Sequence, residues 1–132
     1  MSFVLFKNDG RRILTPRVSI TKGGVIGFNN GSVRRFNLSK YKKCLLYYDN
    51  EEMKIAIELL IDDNNPVSVA LRHKLSSSAE ITCRKFFNFF EIIPKSLIIF
   101  EPEAGEKDNT IILDMKKGII IRNRTRVKSQ EN

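Results

Sequence analysis

The sequence is poor in the residues that carry metal, redox and disulfide chemistry. Its 132 residues include two cysteines, one histidine and no tryptophan. Cys44 and Cys83 lie far apart, which gives neither a zinc-ligand spacing nor a redox pair. They could form one disulfide, but since each lies in an apolar pattern, two buried free thiols are the preferred interpretation. We therefore expect no metal and no cofactor.

Catalytic motifs and long apolar runs are also missing. The single histidine has no nucleophile motif to work with, and Gly23, Gly24 and Gly27 lack the spacing and the Gly-Lys-Ser/Thr ending of a phosphate loop. We therefore expect that the protein is not an enzyme. Apolar runs such as 118–121 are too short to cross a membrane, and the N-terminus lacks the features of a signal peptide. These absences predict a soluble, cytoplasmic protein with no membrane partner.

Positive charge dominates and is distributed in blocks. Lys and Arg number 23 against 15 Asp and Glu, a net charge of +8. A hydrophobic fraction of 42% excludes a disordered chain, and the length predicts a single domain over 1–132. Residues 1–48 carry 10 basic and 1 acidic side chains, and the tail, 116–132, is basic as well. Together these blocks favour a patch that binds a polyanion.

The hydrophobic pattern predicts an α+β, β-rich fold. Runs of β-branched and apolar residues separated by turn residues indicate hairpins and strands, and short stretches of helical spacing indicate two helices. We expect Asn30 to cap the first helix. The predicted hairpins span 18–28, 42–59 and 94–114, the single strands 67–71 and 118–121, and the helices 30–36 and 78–90.

Two segments show the same order of elements. Residues 17–62 and 67–115 each contain extended chain, a short helix and a hairpin, which predicts a diverged internal duplication. The two strand–helix–hairpin repeats would form a small barrel-like or two-sheet core with short helices. The alternative, that an α+β chain of this size shows two such units by chance, stays open.

The first of these segments has the order of elements found in one known family. A strand ends in Thr21-Lys22 before a Gly-Gly turn, a second strand follows, and then come Val33-Arg34-Arg35 and a two-strand return. In this respect residues 17–57 resemble the AbrB-like swapped-hairpin family of prokaryotic transcription regulators and antitoxins. The resemblance implies two interleaved units that bind duplex DNA, with Lys22, Arg34 and Arg35 at positions where the family carries DNA-contacting charge.

The candidate site is a basic face around the first hairpin and helix. Lys and Arg release counterions when they neutralise phosphates, and exposed aromatic rings can stack on bases. The alternative is a solvated basic surface. Candidate phosphate-binding residues are Arg11, Arg12, Arg17, Lys22, Arg34, Arg35, Lys42 and Lys43, and candidate stacking residues are Tyr41 and Tyr48.

Two further clusters have structural interpretations. Phe86, Phe87, Phe89 and Phe90 are expected in the core, although four phenylalanines cover more than one helix face, and the surplus could pack on a second chain. The acids of the loops around 51–52 and 101–108 have no ligand spacing, so we expect solvated turns.

These patterns predict a nucleic-acid-binding protein, a transcription regulator or a coating protein of a prokaryote or phage. Duplex DNA is preferred because of the resemblance, and single-stranded nucleic acid stays open. We expect a homodimer or higher oligomer. The alternative is a structural, partner-binding oligomeric module with no nucleic-acid role.

Overall fold

The strands form two antiparallel sheets, and the computed structural model describes residues 2–5, 15–62, 64–75 and 77–121. The first sheet has six strands in the order β11 (Ile119–Ile121), β8 (Leu97–Phe100), β1 (Val18–Ile20), β2 (Val25–Phe28), β7 (Ala79–Thr82) and β6 (Arg72–His73). The second has five, in the order β5 (Val69–Ala70), β3 (Lys43–Asp49), β4 (Lys54–Leu60), β10 (Thr110–Asp114) and β9 (Glu103–Ala104).

Two short helices follow strands of the first sheet. Helix α1 is Asn30–Arg35 and helix α2 is Arg84–Phe89, and 3₁₀ turns lie at Leu38–Lys40 and Met115–Lys117. The β-rich, two-sheet prediction is confirmed. Within the described ranges the sheets do not close into a barrel.

The chain passes from one sheet to the other at Leu71. This residue lies between β5, at the edge of the second sheet, and β6, at the edge of the first. Its side chain is buried, and its N–H donates to the carbonyl of Lys42 at 2.9 Å. A buried side chain and a satisfied backbone hydrogen bond hold this bend in place.

The core lies between the inner faces of the sheets. Strand β4 shows the period of two clearly, since Ile55, Ile57 and Leu59 are buried while the residues between them are half-exposed. Phe28 and Phe87 are the largest of the fully buried side chains. Burying one such side chain contributes roughly 1.5–3 kcal/mol.

Helix α1 begins at a different cap from the one predicted. Asn29, not Asn30, is the N-cap, and its Oδ1 accepts from the N–H of Ser32 at 2.9 Å. The same oxygen accepts from the N–H of Arg17 at 3.0 Å. The cap therefore also ties the helix to the start of β1, a long-range contact that the local pattern could not show.

The predicted helix over 78–90 is wrong in its first half. Residues 79–82 form β7, which pairs with β2, and the helix begins only at Arg84. Ala79 and Ile81 are buried and their neighbours in β7 are not, which is strand periodicity. A segment of four residues fits both the helical and the strand period, so its pairing with β2 determines that it forms a strand.

The predicted hairpin over 94–114 is also wrong. Strand β8 pairs with β1 and β11, while β10 pairs with β4 and β9. The long connection between β8 and β10 does not enforce local pairing as a two-residue turn would. The hairpins β1–β2 and β3–β4 and the strand at 118–121 are confirmed, and the predicted strand at 67–71 shortens to β5.

The tip of the β1–β2 hairpin rests on the start of α2. Gly24 has φ +83°, and a Cβ placed there would lie 2.7 Å from the Cα of Arg84. The carbonyl of Gly24 also accepts from the N–H of Cys83 at 2.9 Å. Only glycine meets both requirements, because a side chain would be strained by the positive φ and would clash with backbone.

We predict that Gly24→Ala lowers the free energy of unfolding by about 2 kcal/mol or more, measured by urea denaturation. Gly23→Ala is the matched control, because a Cβ there would meet only Thr21 Oγ1, at 3.8 Å. It should change stability by less than about 1 kcal/mol. Equal effects of the two substitutions would contradict this account of the turn.

Candidate nucleic-acid interface

The end of α1 presents cationic side chains to solvent. Arg34 and Arg35 occupy the last turn of the helix and are exposed. Cations are favoured there because the last carbonyls carry partial negative charge. Asn37 then adopts a left-handed conformation with φ 54°, which reverses the chain into the 3₁₀ turn that ends at Lys40.

Two of these cations lie over aromatic rings. The guanidinium carbon of Arg35 is 5.0 Å from the centroid of the Phe36 ring, and Nζ of Lys40 is 5.3 Å from that of Tyr41. A ring attracts a cation through its quadrupole but carries no net charge. The contacts therefore fix the positions of both cations and leave their positive charge available.

A groove of about 340 Å³ separates α1 from the loop between β9 and β10. Arg35 and Lys40 line one side, and Lys107 adds a third cation from the loop. Asp108 is the acidic residue among those lining it. The groove is thus cationic and open to an anion. The complete lining is Arg35, Phe36, Asn37, Lys40, Tyr41, Ala104, Gly105, Lys107 and Asp108.

More cations follow where β3 lies beside the bend between the sheets. Lys43 pairs with Ala70, and the ring Nε2 of His73 donates to the carbonyl of Tyr41 at 2.7 Å. Arg72, exposed on β6, therefore lies beside the segment that carries Lys42 and Lys43. We call the combined set the cationic surface, and it comprises Arg34, Arg35, Lys40, Lys42, Lys43, Arg72 and Lys107.

Ion pairs divide the cations into two groups. Within the described ranges, ion pairs join Arg17 to Glu101 at 3.7 Å, Lys74 to Glu80 at 3.0 Å, Lys116 to Asp114 at 3.9 Å and Lys117 to Glu103 at 3.7 Å. Within those ranges no residue of the cationic surface lies within 4.0 Å of a carboxylate. The carboxylates that form ion pairs in the described ranges therefore pair with other cations and leave this surface positive.

Some of the predicted phosphate-binding residues are not assigned to the cationic surface. Arg11 and Arg12 lie outside the described residues. Arg17 pairs with Glu101, which reduces the charge it offers to a ligand. Lys22 is exposed in the β1–β2 turn, at the opposite end of β2 from α1. The structure therefore does not bring Lys22 together with the arginines of α1.

The tyrosines take different places from those predicted. Tyr41 is 8% exposed, so its ring cannot stack on a base, and that prediction is wrong. Tyr48 is half-buried, with its ring centroid 5.3 Å from that of Phe90. Its neighbour Tyr47 is exposed and donates a hydrogen bond to Glu58 at 2.7 Å, which raises the pKa of Tyr47.

Sequence reasoning missed three residues of the cationic surface. Lys40 precedes the predicted pair Lys42 and Lys43 by a short interval, so its proximity was readable from the sequence. Arg72 joins them only through the bend at Leu71, and Lys107 only through the fold of an otherwise acidic loop. Such contacts between distant segments leave no local signal.

The phenylalanines of α2 and of its C-cap, Phe90, divide between core and surface. Phe87 is fully buried, which confirms it as a core residue. Phe86 is half-buried, Phe90 is 36% exposed and Phe89 is 77% exposed. The ring centroid of Phe90 lies 5.2 Å from that of Phe86 and 4.8 Å from that of Phe89. One helix face therefore enters the core and the other faces outward.

Both cysteines are buried free thiols, as predicted. Burial raises the pKa of Cys44 to about 12, with a smaller contribution from the nearby Cys83, and burial raises the pKa of Cys83 to about 12. A thiol held in its neutral form is a poor nucleophile and a poor metal ligand. Their position therefore assigns them to packing.

We predict that neither thiol reacts with a thiol reagent near neutral pH until the protein unfolds. The folded state keeps its thiol protons to about pH 12, whereas the unfolded state loses them from pH 9.0. Stability should therefore fall as pH rises across this window, by up to about 1.4 kcal/mol per pH unit for each thiol.

The variant with both Cys44→Ala and Cys83→Ala isolates this contribution from that of the lysines and tyrosines. Its stability should fall less steeply with pH than that of the natural protein, as followed by urea denaturation. Rapid labelling of the native thiols, or identical slopes, would contradict the assignment.

Comparison with known proteins returns no match to a family model, a curated protein or a solved structure. Among the described residues, no helix has both the length and the apolar character needed to span a membrane. The same residues contain no group of three or more His, Cys, Asp and Glu side chains placed to hold a metal ion.

Proposed function

We propose that the protein binds nucleic acid through the cationic surface and acts without chemistry, as a regulator or a coating protein. The observation that carries the proposal is that seven cations from α1, the 3₁₀ turn after it, β3, β6 and two loops lie around the groove and beside the bend at Leu71, and that no described carboxylate pairs with them. Unpaired Lys and Arg can exchange their counterions for phosphates, which is the main source of non-specific affinity for nucleic acid.

The groove next to α1 favours phosphate contacts over base stacking. Its two aromatic rings, Phe36 and Tyr41, are 9% and 8% exposed and lie beneath Arg35 and Lys40. A base therefore meets the cations before it meets a ring. Arginine in particular can contact a phosphate with two parallel hydrogen bonds. This arrangement supports the preference for duplex DNA, whose phosphates face outward while its bases are stacked inside.

The AbrB-like resemblance supports the same proposal from the sequence. The hairpin β1–β2, the helix α1 and the hairpin β3–β4 follow in the order that the resemblance implies. Membership of that family stays a prediction. The proposal depends on the clustered cations, and Lys22, which the family pattern would include, is not required for it.

We predict that replacing Arg35 and Lys40 together by Ala weakens binding to a mixed-sequence DNA duplex. Loss of two phosphate contacts should reduce the slope of log K against log salt by about two. The slope is measured by fluorescence anisotropy at several salt concentrations. A single strand of the same sequence, measured alongside, tests the duplex preference.

The matched control replaces Lys116 and Lys117 together by Ala. This variant loses the same formal charge, but both side chains already lie beside carboxylates. Its binding and salt slope should stay closer to those of the natural protein. Equal losses in the two variants would show that net charge alone drives binding, and a natural protein that binds neither duplex nor single strand would overturn the proposal.

The second candidate function is a partner-binding module that assembles without nucleic acid. The three exposed isoleucines of β11 favour it, because exposed apolar strands usually mark association surfaces. Assembly through such residues should be less sensitive to salt than binding to phosphates. Particle mass and DNA affinity measured at two salt concentrations therefore distinguish the two functions.

A further inference from the structure

Strand β11 is an open edge of the first sheet. It pairs with β8 on one side, and among the described strands none pairs with its other side. Its backbone therefore has hydrogen-bonding groups directed away from β8, which can pair with another strand.

The side chains of β11 are apolar and unusually exposed. Ile119, Ile120 and Ile121 are 64%, 58% and 44% exposed. Because successive side chains point to opposite faces of a sheet, the strand is uncovered on both faces. Natural proteins usually protect an edge with a lysine, a proline or a bulge, and β11 contains none of these. The edge has the properties of one that is covered by another strand.

The described cations around the start of β11 are paired with carboxylates. A cavity of about 370 Å³ beside Ile119 is lined by two of the ion pairs, Arg17 with Glu101 and Lys117 with Glu103. Lys116, which precedes the strand, lies 3.9 Å from a carboxylate oxygen of Asp114. A protein with a net charge of +8 repels its own copies, and it does so least where cations are paired.

We propose that β11 is the interface of a homodimer, in which the β11 strands of two copies pair antiparallel about a two-fold axis. In the register centred on the axis, Ile120 lies opposite Ile120 of the second copy, and Ile119 lies opposite Ile121. The same surface of each copy then contacts its counterpart on the other copy, as a two-fold interface requires. The first sheet continues across the axis, and the exposed isoleucines of the two copies cover one another.

A second copy fits this edge better than an unrelated partner. The strand offers an apolar, uncharged segment, so its complement must be apolar and uncharged as well. Another β11 meets that condition and brings the same paired charges beside it. The opposite edge of the first sheet is β6, which carries Arg72, so this pairing leaves that part of the cationic surface open.

Light scattering on the full chain tests the dimer. The natural protein should have twice the monomer mass, and Ile120→Lys should restore the monomer mass by placing two like charges opposite each other. The control is Ile61→Lys, because Ile61 is also 58% exposed and lies outside both sheets. It should stay dimeric. A monomeric natural protein, or a dimeric Ile120→Lys variant that melts normally, would overturn the proposal.

A cross-linking experiment tests the register without a destabilising charge. Residues directly opposite each other in an antiparallel pair have Cβ atoms about 4.5–5.5 Å apart, and a small local adjustment brings them to the roughly 3.5–4.5 Å of a disulfide, so Ile120→Cys should form one between copies under mild oxidation. Cys44 and Cys83 do not interfere, because both are buried. A covalent dimer is expected for Ile120→Cys and none for Ile61→Cys. Failure of Ile120→Cys to cross-link, or equal cross-linking of both variants, would contradict the interface.

Discussion

The bend at Leu71 is the constraint on which the arrangement of this protein depends. One buried side chain and one backbone hydrogen bond, from Leu71 to Lys42, let the chain leave the second sheet as β5 and enter the first as β6. The same bend sets Arg72 beside the lysines of β3 and lets His73 bind the carbonyl of Tyr41. Without it, the cations of the first half and Arg72 of the second would have no reason to meet.

The fold, as well as the sequence, decides which cations are paired with carboxylates and which are open to a ligand. The acidic loop around 101–108 folds back so that Glu101 and Glu103 meet Arg17 and Lys117 near β11. The cations of α1 and the following turn rest on aromatic rings instead. A carboxylate removes the attraction for phosphate, whereas a ring restrains the cation and preserves it. A formal net charge therefore describes this surface poorly, because the partner of each cation decides what it offers.

Local sequence patterns predicted the secondary-structure elements better than they predicted which strands pair. The Gly-Gly turn, the hairpin β3–β4 and the strand β11 follow from short-range periodicity and turn chemistry, and the structure confirms them. The errors arise where pairing with a strand distant in sequence determines the structure. Residues 79–82 form β7 because they pair with β2, and β10 pairs with β4 and not with β8. Arg34, Arg35, Lys42 and Lys43 could be predicted from the sequence as members of the cationic surface, whereas Lys107 joins it only because the loop between β9 and β10 lies beside α1. The internal duplication stays a prediction, although β2 and β7, each followed directly by a helix, pair with each other.

The two proposals together assign binding of nucleic acid and assembly to different surfaces of the protein. If two copies join at β11, each keeps its own cationic surface, and one polyanion can engage both. The second contact is then intramolecular, so its strength depends on the distance and rigidity between the two surfaces more than on new contacts. A continuous sheet is a stiff connection, and phosphates are spaced regularly along a duplex. This geometry favours a long, regular ligand over a short or flexible one, which is the property that separates duplex DNA from a disordered acidic partner.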